Sequence, residues 1–296
     1  MYPIEPLNSG DADSIISLSR SVGWDYTHRE VLVFLATGKL FGHRQENGRL
    51  VSSTGIFSYG ELASIGVVIV HPEFQGQGLG RELMQRCLVE VDQSSTMLVS
   101  TAEGQRLYSS LGFRTVTHIH KMLYKQPIQG SKERINKLNN EFTNELKNDS
   151  PQDLELGNLA ETDLADIIQL DEQVMGAHRG RFLSSRFPLM ENGVVLRDSE
   201  GSLQGYAMTV RRNDLLIVGP IMAPNHASAL TMIRQLTVGW NGSVRIDVPS
   251  AQMELFQSLI SLNFHEEERP PVMMRNGDTL PGERGRLYAI AAQAFG

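Results

Sequence analysis

Cysteine is almost absent from this 296-residue chain, where Cys87 stands alone. No internal disulfide framework and no cysteine-based metal site can therefore be built. Apolar runs of membrane-spanning length are missing too, and Met1-Tyr-Pro-Ile-Glu-Pro has neither the basic start nor the apolar stretch of a signal peptide. Both absences point to a cytoplasmic protein. Positive charge is in short supply: Lys+Arg 27 against Asp+Glu 34 leaves a net charge of −7. That balance argues against nucleic acid or an anionic membrane as the main partner and suits a cationic or amine ligand. What remains, 41% hydrophobic and 21% charged residues, describes an ordinary globular protein. At this length two domains are the natural expectation.

One stretch organises the rest. Residues 67–70, Val-Val-Ile-Val, form a β-branched apolar run that reads as a strand buried on both faces. His71-Pro72 stops it, because proline has no N–H for a ladder. Gly76, Gly78 and Gly80 follow at every second position, and Leu83, Met84, Cys87, Leu88 and Val91 then recur at helical spacing. Strand, glycine turn and helix together aim the unbonded N–H groups of a first helical turn at one point, where an anion such as a phosphate binds. Glycine lets those amides approach it with no Cβ in the way. A P-loop would need Lys-Ser or Lys-Thr after the last glycine, and Arg81-Glu82 stands there instead. The dinucleotide fingerprint needs G-x-G-x-x-G, whereas this turn is G-x-G-x-G.

Gln75, Gly78 and Gly80, flanked by Val70-His-Pro-Glu-Phe and Leu79-Gly-Arg-Glu-Leu-Met, resemble the acetyl-CoA signature of the GNAT superfamily of N-acetyltransferases. The resemblance implies a CoA pyrophosphate cradle at Gln75, Gly76, Gln77, Gly78, Leu79, Gly80 and Arg81. It also implies main-chain contacts from Val68, Ile69 and Val70 to the thioester of acetyl-CoA.

Read in order, the first half alternates as that fold requires. Residues 2–8 suit a first strand, with Ser9 or Asp11 capping a helix through Ile15, Ile16, Leu18 and Val22. Thr27-His-Arg-Glu30 reads as a capping box opening a second helix that Gly38 closes. Residues 40–43, 50–57 and 63–70 look like antiparallel strands joined by turns at Glu46-Asn-Gly48 and Ser58-Tyr-Gly60. After the glycine helix come a strand over 97–101, a short helix over 104–111 and a last strand over 113–124. Residues 126–152 turn polar and charged, yet Ile135, Leu138, Phe142 and Leu146 fall at heptad-like spacing, so a connecting helix and a solvated linker are both open.

From Leu154 the pattern begins again. Thr162 reads as the cap of a helix, a second helix covers 181–187, strands follow over 194–198, 203–210 and 215–221, then a helix over 227–238. Segments over 244–248, 252–262 and 271–274 complete the set. Leu107-Tyr-Ser-Ser-Leu-Gly-Phe113 aligns with Ser258-Leu-Ile-Ser-Leu-Asn-Phe264, which indicates repetition of a whole domain. Where strand meets helix the second copy carries Gly219-Pro-Ile-Met-Ala-Pro-Asn and no glycine triplet. Asp171, the Gly176-Ala-His-Arg179 stretch, Met274-Arg-Asn-Gly277 and Ala289-Ile-Ala-Ala292 add to a resemblance with bacterial tandem proteins of this family. The expected architecture is α/β (α+β): an acetyltransferase domain over 1–125, a linker over 126–152 and a degenerate copy over 153–296. Each domain is expected to hold a mixed, mostly antiparallel central sheet flanked by helices.

The resemblance implies direct acetyl transfer to an amine with both substrates bound, without a metal, by a monomer or homodimer. Tyr108, in a motif similar to Tyr-x-x-x-Gly-Phe, is the candidate proton donor to the leaving thiolate, and tyrosine is protonated at pH 7. Leu259 stands at the aligned place in the second copy. Some relatives place a glutamate base on the fourth strand, where Ser64 stands here; nearby Glu61 also suits an exposed hairpin end. His118 and His120 alternate along the last strand and His71 sits at a strand end, all read as structural. Trp24 and Tyr26, with Asp25 between them, are candidates for the acceptor wall by cation–π and charge contact. Arg179, Arg181 and Arg186 are available for an acceptor carboxylate. The acceptor is expected to be a small or amino-acid-like amine. Acetylation of a protein lysine or N-terminus, and acyl-CoA binding without turnover, stay open as alternatives.

Overall fold

The computed structural model describes residues 2–91, 94–125 and 154–296. The expectation for 126–152 therefore lies outside the described residues. The first half runs β1 (Ile4–Leu7), α1 (Ala12–Arg20), α2 (His28–Thr37), β2 (Lys39–Arg44), β3 (Leu50–Ser58), β4 (Leu62–Val70), α3 (Leu79–Val91), β5 (Ser95–Val99), α4 (Gln105–Ser110) and β6 (Arg114–Tyr124). This is the order read from period and punctuation. The capping box forms as expected: Glu30 N donates to Thr27 Oγ1 at 3.2 Å, and Glu30 Oε2 accepts from Thr27 N at 2.9 Å. Asp11, one of the two caps expected, stands at the N-cap of α1 but makes no side-chain cap bond there. Asn8 Oδ1 accepts from Gly10 N, and Asp11 reaches back to Asn8 N, opening a single 3-10 turn before the helix. Val22 lies beyond the end of α1. Gly48 and Gly60 turn the two hairpins with φ of 83° and 85°, which side chains resist.

The second half runs β7 (Leu154–Asn158), α5 (Leu164–Met175), α6 (Gly180–Arg186), β8 (Met190–Asp198), β9 (Leu203–Arg212), β10 (Leu215–Met222), α7 (His226–Thr237), β11 (Ser243–Pro249), α8 (Met253–Ser261), β12 (His265–Glu268), β13 (Pro271–Arg275) and β14 (Leu287–Ala289). Thr162 caps nothing. It lies within a 3-10 turn closed by Asp163, whose carboxylate accepts from Ala160 N at 2.8 Å. Strands β12 and β14 have no counterpart in the sequence reading. The internal repeat takes the same shape twice: Phe113 N bonds to Tyr108 O and Phe264 N to Leu259 O, across Gly112 at φ 90° and Asn263 at φ 65°.

All fourteen strands among the described residues belong to one mostly antiparallel sheet, in the order β1-β2-β3-β4-β5-β13-β6-β11-β10-β9-β8-β7, with β12 on β6 and β14 on β10. The two expected central sheets run into one another here, because the halves exchange strands. β13, from the second half, lies between β5 and β6 of the first, pairing Met273 with Leu98 on one side and with Thr115 on the other. The far end of β6 in turn enters the second half, pairing Met122 with Ile246 of β11 and with Glu266 of β12. A ladder leaves no N–H or C=O orphaned only if every gap is filled, and each half fills the other's gap. Helix α3 buries Leu83, Met84, Cys87 and Val91 beside Met273 in the first half's core. Burial pushes the Cys87 thiol up to about 12, as suits a packing residue.

After β14 the last residues cross back to the first half. Ser64 Oγ donates to Ala294 O at 2.9 Å, and the Phe295 ring stacks among Phe57, Phe34 and Phe182 at 4.7, 5.4 and 4.4 Å. Arg179 holds this segment from the other side, donating to Gly296 O at 3.0 Å and forking onto Asp171 at 2.9 and 2.7 Å. No helix among the described residues is long and apolar enough to cross a membrane.

Candidate active site

The pairing of β4 with β5 stops after Ser64↔Met97, and beyond it the two parallel strands diverge. On its other edge β4 carries one residue more than β3 between Gly66 and Ile69. The extra residue is a β-bulge centred on Val67, whose φ of 57° puts a β-branched residue in left-handed space. Ser53 Oγ fixes it by donating to Val67 O at 2.9 Å. The bulge turns Val68 towards an opening between the halves, while Ile69 stays in the core and Val70 packs over the head of α3, 3.6 Å from where a Gly80 Cβ would stand.

At that head the glycines shape a cradle. Gly76 and Gly78 have φ of 75° and 88°, and a Cβ on Gly76 would meet nothing within 4 Å. The amides of residues 76–80 have no acceptor among the described residues; bonding resumes with Arg81 N and Glu82 N to Gly78 O. Five successive N–H groups on a turn at a helix N-terminus could hold an anion, and the donor set fits a diphosphate. The flanking side chains brace the turn: Gln75 Nε2 donates to Val70 O at 3.2 Å, Gln77 Nε2 to Glu73 O at 3.5 Å, and Arg81 Nη2 to Ser110 Oγ at 2.7 Å. The head of α7 differs, since Asn225 Oδ1 accepts from Ser228 N at 2.9 Å. There the chain satisfies its own helix terminus.

Between the halves lies a cleft of about 410 Å³ into which Val68, Tyr108, Trp24 and Tyr26 all reach. Gly104 leaves room for the Tyr108 ring, since a Cβ there would sit 2.6 Å from Cε2. The Tyr108 hydroxyl has no hydrogen-bond partner among the described residues, and burial pushes it up to about 12. Trp24 and Tyr26 meet edge to face at 5.7 Å, and Tyr26 continues onto Phe34 at 5.0 Å.

Eight charged residues line the same cleft, and six of the eight went unread as site residues in the sequence. Arg212 of β9 holds both Asp25, at 2.7 Å, and Glu30. Arg245 forks onto Asp247 at 2.8 and 2.6 Å, and Lys121 pairs with Glu268 at 3.3 Å. Arg186 is left over. It is 7% exposed, one Nη donates to Gly219 O at 2.8 Å, and its Nε is buried with no partner among the described residues. Burial pulls its guanidinium down to about 10. Of the other two arginines weighed for an acceptor carboxylate, Arg181 is exposed and outside the cleft and Arg179 is spent on Asp171. Among the described residues no group of three or more His, Cys, Asp or Glu side chains could hold a metal ion.

Two family models for the acetyltransferase (GNAT) domain match the chain, one over residues 37–115 and one over 167–289. A Bacillus subtilis strain 168 protein, the uncharacterized N-acetyltransferase YitH, is 31% identical over 98% of this chain and 97% of its own. The chain belongs to the GNAT acetyltransferases. A Pyrococcus horikoshii protein provisionally described as an acetyltransferase shares the fold at a TM-score of 0.75 and 16% identity, over 99% of this chain and 95% of that one. A tandem GNAT protein from the clavulanic acid biosynthesis pathway does so at 0.64 and 12%, over 94% and 100%.

Within this GNAT framework Ser64 lies on β4. Its hydroxyl is fully buried and spent on the Ala294 carbonyl. Glu61 is exposed at the hairpin end. His120 lies buried, between Glu266 at 2.8 Å and Ser250 at 2.9 Å, and His71 accepts from Glu73 N at the strand end. Neither Ser64, His71 nor His120 faces the cleft. Neither does His43, which the sequence reading passed over; it is buried against Ser52 at 2.7 Å, and burial lowers its ring below the ordinary histidine range.

Proposed function

We propose that this protein transfers the acetyl group of acetyl-CoA to the primary amine of a small-molecule or amino-acid-like acceptor bound in the cleft between its halves. The observation that carries the reading is the run of five amides at residues 76–80 without an acceptor among the described residues, packed against Val70 at the end of the strand whose pairing with β5 stops at Ser64. Residues 75–81 would hold the CoA diphosphate, and the main chain of residues 68–70 would lie along the arm that leads to the thioester. When bound, acetyl-CoA supplies an activated acetyl carbon and a sulfur leaving group.

The chain's own part is to position and to move one proton. The Trp24–Tyr26 pair and the bulged β4 confine the amine, and placing two reactants together removes much of the entropic barrier. The acceptor nitrogen enters as the neutral base, forms the bond to the acetyl carbon, and the carbon–sulfur bond breaks. Tyr108 hands its hydroxyl proton to the departing sulfur, and the proton shed by the acylated nitrogen restores it. With no carboxylate base at Ser64, deprotonation of the amine falls to solvent. The cleft's size favours a small acceptor over a protein chain.

The test is CoA thiol release from acetyl-CoA over a panel of primary amines, with the acetylated product weighed by mass spectrometry. At least one amine should be turned over, and calorimetry should find one acetyl-CoA per chain, because α7 caps its own terminus. Gly78→Asp places a carboxylate in the cradle at a φ of 88°, and acetyl-CoA binding should vanish while the fold persists. Undiminished binding by that variant would remove the cradle assignment.

A further inference from the structure

We propose that Arg186 is the seat for an anionic group, carboxylate or phosphate, carried by the acceptor amine. The inference rests on reading the interdomain cleft as the acceptor site. A guanidinium withdrawn from water without a counter-charge is costly, and folds that keep one give it a carboxylate, a set of backbone carbonyls or a ligand. Arg186 reaches the cleft from α6, is almost wholly buried, and has no carboxylate partner among the described residues. The three other cations of the cleft each hold a carboxylate, and between them they use all four of its acids. A negative charge entering the cleft therefore finds one cation unmatched.

The donors point the same way. Arg186 gives one Nη to the Gly219 carbonyl, while its Nε is buried without a partner among the described residues. The planar fork of a guanidinium suits the paired oxygens of a carboxylate or a phosphate, and its geometry is fixed before the ligand arrives. Arg284 shows what a merely structural arginine does here. It lines a second, mostly apolar cavity of about 240 Å³, and spends Nε on Pro281 O at 2.8 Å and Nη2 on Met175 O at 3.1 Å. Arg186 has no such pair of carbonyls. An acceptor with its anion at Arg186 lies in the same cleft as Tyr108 and the bulged β4, so its amine can be presented to both. The substrate class that follows is an amine with a carboxylate or phosphate in the same small molecule.

The experiment compares three acceptor sets on the full-length protein: amino acids, the amines left by their decarboxylation, and phosphorylated amino alcohols. Binding is read by calorimetry with and without saturating CoA, and transfer by kcat/KM. The wild type should prefer the anionic amines, and the arm that binds, carboxylate or phosphate, names the group. Arg186→Met should weaken anionic amines by roughly tenfold to a hundredfold, the worth of a hydrogen bond to a charged group, and erase the preference. Its melting temperature should hold or rise, since a buried uncompensated charge is gone. Arg186→Lys should restore part of the preference. Equal binding of anionic and neutral amines by the wild type overturns the proposal, as does an Arg186→Met protein that melts lower and keeps the preference. Acetylation without anion preference sinks this proposal alone. Arg186-dependent binding with no transfer sinks the acetyltransferase reading and leaves the anion seat standing.

Discussion

Tyr108 shows how one residue's environment selects its chemistry. Its ring is packed against Phe113 at 6.3 Å, its hydroxyl has no partner among the described residues, and burial raises it to about 12 from the ordinary tyrosine value of 10.0. A folded-state value above the unfolded one favours the protonated form. The stability tied to that proton is present below about pH 10 and is lost as pH rises through 10 towards 12. Through neutral and mildly alkaline pH the hydroxyl therefore stays protonated, as the proposed donor role requires. Tyr108→Phe keeps the ring and removes the proton, so kcat should fall by roughly 10²–10⁴ while the affinity for acetyl-CoA hardly moves. The wild-type kcat should show no descending limb from Tyr108 up to pH 9. Steady-state kinetics on both proteins, with melts to confirm folding, check this. Full turnover by a stable Tyr108→Phe protein would leave the transfer to positioning alone.

Elements were legible where they announce themselves locally. The Thr27–Glu30 box, the glycines at 48 and 60, and the apolar period of α3 are signals carried within a few residues, and the structure follows them. Strand β12 carries no such signal. His265–Glu268 has every side chain exposed and no apolar alternation, and it is a strand because the far end of β6 offers it an edge. Strand β13 was legible as a segment, but its partners were not, since they lie more than 150 positions away in β5 and β6. Met273 is the residue on which that exchange bears most directly, at 1% exposed beside Leu83, Cys87 and Phe113 of the first half. Met273→Ala should cost about 2–5 kcal/mol, the usual range for emptying a core site. Urea denaturation measures it, and a loss below about 1 kcal/mol would mean that β13 is only lightly seated.

At the scale of the whole molecule, the glycine turn ahead of α3 was legible and the cleft was not. Gln75, Gly78 and Gly80 carry their meaning in spacing, whereas the solitude of Arg186 exists only after Arg212 has crossed 187 positions to take Asp25 and 182 to take Glu30. The same crossings bind the halves into one cooperative body. Removing either half strips the other of a strand: β13 from between β5 and β6, or β6 from beside β11. It also strips the aromatic seat of Phe295, which draws Phe34 and Phe57 from one half and Phe182 from the other. Tandem domains joined by a tether alone would unfold separately, whereas domains sharing a ladder cannot. The chain supplies its own reporters, one tryptophan to each half: Trp24 beside Tyr26, and Trp240 with its indole on Ser243 O at 3.0 Å. Trp240→Phe leaves fluorescence in the first half, and Trp24→Phe leaves it in the second. In each variant the fluorescence midpoint in urea should coincide with the far-ultraviolet circular dichroism midpoint of the same protein, which cancels any stability change from the substitution. A dichroism curve with two steps, one of them silent in each fluorescence trace, would show that the halves unfold independently and that the exchanged strands do not couple them.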